Sequence, residues 1–134
     1  MFLHIKDVLT PEEITFFRQA LGPQAPWIEG ARSAGGQAIH QKNNLQLAQG
    51  SELSAQLQTM VKAALHRNAL FFSAALPRRI YNPLFNNYGD GANYYGNHVD
   101  SAVMHSKADN CWVRSDLSCT LFLTPPEDYD GGEL

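Results

Sequence analysis

Asp116-Leu117-Ser118-Cys119-Thr120-Leu121-Phe122-Leu123-Thr124, closed by Pro125-Pro126, is the run on which the fold class turns. It alternates at first and then becomes apolar on both faces, the pattern of a β-strand covered from two sides. The prolines end it. Asp130-Gly131-Gly132 then turns the chain toward Glu133-Leu134, which reads as the start of another strand. Upstream, Arg79-Ile80-Tyr81, Leu84-Phe85 and Tyr94-Tyr95 are further β-favouring runs broken by Gly, Asn, Asp and Pro. The second half of the chain is therefore expected to be strand and turn.

The first half has a different character. Phe2 to Ile5 alternates weakly, as a short strand would. Thr10-Pro11-Glu12-Glu13 is a helix start, with Thr10 as N-cap, Pro11 at the first helical position and Glu13 placed to close a capping box. Ile14, Phe16, Phe17 and Leu21 give that helix a buried face, and Gly22-Pro23 ends it. Trp27 to Gly30 is expected to be a brief strand, Ala31 to Gly36 a loop, and Asn44 to Ala48 a strand. Ser51 can cap a second helix, in which Leu53, Leu57, Met60, Val61, Ala64 and Leu65 form one apolar stripe. His66, near its end, reads as a surface residue favoured by the helix dipole. Pro77 marks a boundary, which divides the chain into an N-terminal mixed region, 1–78, and a β-rich region, 79–134.

Bulk properties exclude several functions. The 134 residues suit one domain, and a hydrophobic content of 44% is ordinary for a globular core. A net charge of −3, with no Lys/Arg cluster in the sequence, leaves no electrostatic footprint for nucleic acid. The most apolar piece, Ala69 to Leu76, is far too short to span a bilayer, and the N-terminus does not read as a secretory signal. Cys111 and Cys119 form neither a Cys-x-x-Cys motif nor a disulfide framework, which fits reduced thiols in a cytoplasmic protein.

The chemistry-bearing residues are His98 and Asp100, within Tyr88-Gly89-Asp90-Gly91-Ala92-Asn93-Tyr94-Tyr95-Gly96-Asn97-His98-Val99-Asp100. Side chains two apart on an extended segment point to the same side, so an imidazole and a carboxylate converge on one point. These are two of the ligand types in the two-His/one-carboxylate facial triad of non-haem iron oxygenases. By itself His-x-Asp is a weak motif.

Its surroundings add to it. Pro83 to Tyr88, Tyr95 to Asp100, Arg114 to Leu123 and Tyr129 to Leu134, in that order and spacing, resemble the bacterial PKHD-type hydroxylases. Those are Fe(II)- and 2-oxoglutarate-dependent dioxygenases related to prolyl 4-hydroxylases. Lys42-Asn43-Asn44 and the Ala69 to Pro77 stretch resemble the same family's N-terminal region. The resemblance implies an α+β fold built on a double-stranded β-helix (a cupin-like jelly roll) with flanking N-terminal helices. It implies His98 and Asp100 as iron ligands, and Fe(II), 2-oxoglutarate and ascorbate as cofactors. It places Tyr88 and Tyr95 where related enzymes have pocket tyrosines. Here Tyr88 either lines the 2-oxoglutarate pocket or packs in the barrel, and core packing is the expectation for Tyr95. Arg114 is expected to help shape the pocket. The implied partners are 2-oxoglutarate, dioxygen and an unidentified hydroxylation substrate, with homodimer formation left open.

Two elements of that family are not found: a distal histidine to complete the triad, and a downstream Arg or Lys to pair with the cosubstrate carboxylate. His105 reads as part of a polar loop too near Asp100 to serve as the third ligand. His4, His40 and His66 are not expected to reach the site. The 134 residues are thus expected to be the first part of a longer enzyme, lacking the last barrel strands and inactive alone. A cupin-like binding module, in which His98 and Asp100 only hydrogen-bond, is the alternative from another class. A zinc hydrolase is a third, disfavoured because no activating Glu sits near His98.

Overall fold

A computed structural model describes residues 2–33, 42–89, 91, 93–106 and 109–132. In chain order these form α1 (Pro11–Ala20), β1 (Trp27–Glu29), a 3-10 turn (Gly30–Ser33), β2 (Lys42–Asn43), β3 (Leu45–Leu47), α2 (Glu52–Arg67), α3 (Ala69–Ala75), β4 (Asn86–Asn87), β5 (Tyr94–Tyr95), β6 (Val103–Ser106), β7 (Cys111–Arg114) and a second 3-10 turn (Pro126–Asp128). Helices and small antiparallel sheets are thus combined in an α+β arrangement.

Local chemistry sets the helix starts. Thr10 Oγ1 accepts the backbone N–H of Glu13 at 3.2 Å, and the Thr10 N–H donates to Glu13 Oε2 at 2.9 Å, which is the expected capping box. Arg67, at the end of α2, donates from Nη1 to Glu13 Oε1 at 2.8 Å and from Nη2 to the Val8 carbonyl at 3.2 Å. The start of α1 is therefore clipped to the end of α2. The Arg67 hydrogen bond, followed by the one from the Thr10 backbone, holds the Glu13 carboxyl below its usual range. Ser51 caps α2 by accepting the Ser54 N–H at 3.1 Å.

The core follows the stripe read from the sequence. Leu57, Val61, Ala64 and Leu65 of α2 are buried, with Leu53 and Met60 packed at its margin. They meet Phe17 from α1, Leu47 from β3 and Phe85 from the segment before β4, and the Phe17 and Phe85 rings lie 6.1 Å apart. Each fully buried Leu or Phe contributes about 1.5–3 kcal/mol. Residues from both halves of the chain share this core.

Among the described residues, three small antiparallel sheets accompany it. The strand order β1-β3-β4 places β3 centrally, with Trp27 opposite Leu47 and Gln46 opposite Asn86. Leu47 faces the core, while Gln46 and Asn44 are buried on the other side, beneath the exposed Asn86. The Asn86 Oδ1 accepts from Gln46 Nε2 at 3.0 Å and from Asn44 Nδ2 at 3.1 Å. Gly30 makes this approach possible: a Cβ there would strike Asn44 Oδ1 and come within 2.8 Å of its Cγ. A two-rung ladder pairs Lys42 with Tyr95 and Asn43 with Tyr94, joining β2 to β5. Finally β6 and β7 form a hairpin, Val103 opposite Arg114 through Ser106 opposite Cys111.

Several expectations need correction. Residues 116–124 form no ladder among the described residues, although their composition is the most β-favouring in the chain. Strand propensity reflects fit to a pleated, paired surface, and here no described strand lies alongside. Phe2 to Ile5, Arg79 to Tyr81 and Leu84-Phe85 likewise form no strand, although the Leu47 N–H of β3 donates to the Phe85 carbonyl at 3.0 Å. His105 lies on β6, paired with Trp112, and not in a loop. Ala69–Ala75 is a helix, started by Asn68 Oδ1 accepting the Phe71 N–H at 2.8 Å. The expected loop at Ala34 to Gly36, His40 and the strand start at Glu133-Leu134 lie outside the described residues, as do Asp90 and Ala92.

Candidate metal centre

The β2–β5 ladder delivers the His98 segment. Beyond Tyr95 the chain runs without helix or ladder through Asp100, and Val99 is 96% exposed. His98 Nε2 and Asp100 Oδ1 lie 3.4 Å apart, so the two side chains do converge as an extended backbone requires. The other imidazole nitrogen, Nδ1, lies 2.8 Å from the Gly96 carbonyl oxygen. A carbonyl can only accept, so Nδ1 carries a hydrogen, and Nε2 is the nitrogen turned toward Asp100. Metal-binding histidines are commonly held by this kind of outer hydrogen bond.

Tyr95 forms the back of the imidazole. Its ring stacks on His98 with centroids 3.7 Å apart and planes 17° from parallel, and the Lys42 ammonium sits 5.1 Å from the Tyr95 centroid. Tyr95, expected in the core, is therefore half-buried beside His98. Burial, and next the negative charge of Asp100, push its hydroxyl pKa up from 10.0, so it remains a protonated donor at neutral pH. Tyr88 is 46% exposed. Its hydroxyl is raised first by burial and then by Tyr95, with a hydrogen bond to Asn44 acting the other way. Burial lowers the Lys42 ammonium from 10.5. Asn43 Nδ2 donates to the Gly91 carbonyl at 2.8 Å, fastening the turn before β5, where Gly91 has φ 86°.

Arg114 stands apart from this group. It closes β7 and pairs through Nε with Asp116 Oδ1 at 2.8 Å, both side chains being largely exposed. The structure thus gathers His98, Asp100 and Tyr95, links Tyr88 through Tyr95, and turns Arg114 to its neighbour. Lys42, Asn43 and the Gly96 carbonyl were not singled out as site groups from the sequence. The Lys42-Asn43-Asn44 triplet was the signal for the first two, and Gly96 lay within the Tyr95 to Asp100 motif.

The pair can be tested against a metal. Two donors each about 2.1 Å from one ion, at roughly a right angle, stand about 3 Å apart. The observed 3.4 Å is close to that spacing and longer than an ordinary charge-assisted hydrogen bond of about 2.7–2.9 Å. One neutral imidazole lone pair and one carboxylate oxygen suit a divalent first-row ion. Among the described residues, no group of three or more His, Cys, Asp or Glu is arranged to hold a metal ion. No helix among them is long and apolar enough to cross a membrane.

No family model matches the chain. Over all 134 residues it is 52% identical to a PKHD-type hydroxylase of Variovorax paradoxus and 48% identical to one of Aliarcobacter butzleri. It is 49% identical over the same length to the PKHD-type hydroxylase YbiX of Escherichia coli. The chain is homologous along its whole length to proteins of that name, and it spans 58% of the length of each of these three.

Proposed function

We propose that the protein is an Fe(II)- and 2-oxoglutarate-dependent dioxygenase that hydroxylates its substrate, with His98 and Asp100 as two of three protein ligands to iron. The observation that carries the reading is the convergence of His98 Nε2 and Asp100 Oδ1, with Nδ1 held by the Gly96 carbonyl. It occurs in a chain about half identical to proteins named hydroxylases. Bound iron would supply oxidative decarboxylation of 2-oxoglutarate to succinate and carbon dioxide, coupled to hydroxylation.

The chain's own residues have separate tasks in this reading. His98 offers Nε2 as a neutral donor, in the one tautomer that the Gly96 carbonyl allows. Asp100 brings the anionic oxygen that offsets the charge of a divalent ion. Tyr95 fixes the plane of the His98 ring and shields one face from water. Tyr88 would donate its hydroxyl to a carboxylate of 2-oxoglutarate, and Arg114, paired with Asp116 in this structure, would have to leave that partner to help shape the pocket. Residues 79–134 would begin a jelly-roll dioxygenase domain against which 1–78 packs. The third iron ligand and the base that pairs with the 2-oxoglutarate carboxylate would come from sequence outside these residues. Ascorbate would keep the iron ferrous. The free thiols of Cys111 and Cys119 favour a cytoplasmic setting.

The test uses the whole protein, loaded with Fe(II) without oxygen, then supplied with oxygen and 2-oxoglutarate. Wild type should hold iron by elemental analysis and release succinate, and His98→Ala should lose both. A His98→Ala protein with undiminished iron and turnover would refute the assignment.

A further inference from the structure

Away from the metal pair, a groove of about 430 Å³ opens between α2, the segment after α3 and the β6–β7 hairpin. Its rim carries Lys62 and His66 from α2, then Arg78 and Arg79. Pro77, Ile80 and Val113 give it apolar surface. Three permanent cations thus line one groove in a chain whose net charge is −3.

Among the described residues, no ion pair neutralises these cations. Lys62 Nζ donates to Asn82 Oδ1, a neutral acceptor. Neither Arg78 nor Arg79 makes an ion pair or a side-chain hydrogen bond with a described residue. One carboxylate lines the groove, that of Asp109, and Ser106 Oγ donates to its Oδ2 at 2.7 Å. Ser106 is buried, and its Oγ also lies 3.4 Å from Asn82 Nδ2. Lys62, Asn82, Ser106 and Asp109 therefore form one polar chain across the groove. It ties α2 to the hairpin and anchors the acid to the hairpin turn. Tyr81 adds a further tie, its hydroxyl 3.4 Å from the His105 carbonyl oxygen. The walls are fixed by this polar chain, and among the described residues neither guanidinium fork has an anionic partner.

We propose that this groove binds a small organic anion, a phosphate or carboxylate carried on an apolar body. A guanidinium presents donors in a planar fork that matches either oxyanion, and two adjacent forks beside an ammonium favour a doubly charged head. Ile80 and Val113 would receive the apolar body. The volume lies within the range of about 300–1,000 Å³ typical of small-molecule sites. This site is independent of the iron reading and uses none of its residues.

The experiment is calorimetric titration of the whole protein with phenyl phosphate, phenylacetate, inorganic phosphate and benzyl alcohol. The expected order is phenyl phosphate tightest, inorganic phosphate and phenylacetate weaker, and benzyl alcohol unbound. Affinity for phenyl phosphate should fall as salt rises, and by at least tenfold in an Arg78→Gln/Arg79→Gln double variant. Both arginines are exposed, so that variant should keep the wild-type melting temperature. An Ile80→Ala variant should weaken phenyl phosphate but leave inorganic phosphate unchanged. If phenyl phosphate fails to bind at millimolar concentration, or binds the double variant as tightly as wild type, the proposal is overturned. Stronger binding of phenylacetate than of phenyl phosphate would keep the anion site and assign it to carboxylates.

Discussion

Replacing Gly30 by alanine tests how the sheet beside the metal pair is held together. The added methyl would strike the Asn44 carboxamide oxygen, and its 2.8 Å approach to Cγ leaves the side chain nowhere to stay. Asn44 is only 3% exposed, and its Nδ2 makes the 3.1 Å bond to Asn86. Moving it breaks that bond, a net loss of about 1 kcal/mol, and strands a buried amide at about 1–3 kcal/mol. The sum, about 2–4 kcal/mol, should lower the urea midpoint by about 1–2 M. Trimming the obstacle supplies the control. In an Asn44→Ala background most of the clash is gone, leaving only a 3.0 Å approach to the Asn44 backbone oxygen. Gly30→Ala should then be nearly neutral, so the double-mutant cycle should show a coupling of about 1.5 kcal/mol or more. Equal effects of Gly30→Ala in both backgrounds, or a single-variant loss below about 0.5 kcal/mol, would refute the steric account.

Two further outcomes are expected. Because the folded-state pKa of Glu13 is lowered, its stabilisation is present in full above its ordinary value of 4.5 and fades as pH falls through the lower folded value. The difference in melting temperature between wild type and Glu13→Gln should therefore be constant from pH 7 to 5 and shrink under stronger acid. A difference that grows on acidification would reverse the sign and contradict the Arg67 clip. At the metal pair, Asp100→Asn in the whole protein should weaken Co(II) binding by about tenfold or more, while Val99→Ala, on the opposite side of the segment, should leave it unchanged. Equal losses in both would show that the segment's conformation matters rather than the carboxylate.

The sequence was most informative where structure depends on neighbours along the chain. Thr10, Glu13 and Ser51 announce their helices because a cap is satisfied within a few residues. The α2 stripe is legible because burial must repeat with the helical turn. Asn68 was overlooked as a cap because Ala69-Leu70-Phe71-Phe72 has no periodicity in so short a run. The β6–β7 hairpin was hidden by its polar residues. Its signals were Val103 and Trp112-Val113 flanking a turn in which Asn110 adopts φ 46°. The 116–124 run shows the converse, since composition cannot supply a partner strand. His98 and Asp100 could be placed on one side from the alternation alone. Asn44, Gln46 and Ser106 could not be read as buried, because partners that lie far along the chain, Asn86 for the two amides and Asn82 for Ser106, help to hold them inside.

The join between β2 and β5 has one more consequence. It consists of two rungs between segments far apart in sequence, whereas α2 is rooted in the core along four turns. Amide protons on the ladder should exchange with solvent by local opening, at a far lower free energy than those of α2, whose exchange requires the core to come apart. His98 and Asp100 thus follow a ladder less protected than α2. On the proposed reading, an ion that locked His98 and Asp100 together would order this segment as it bound, its affinity would be lower than rigid ligands give, and deuterium uptake at Tyr94 and Tyr95 should fall as the metal is added.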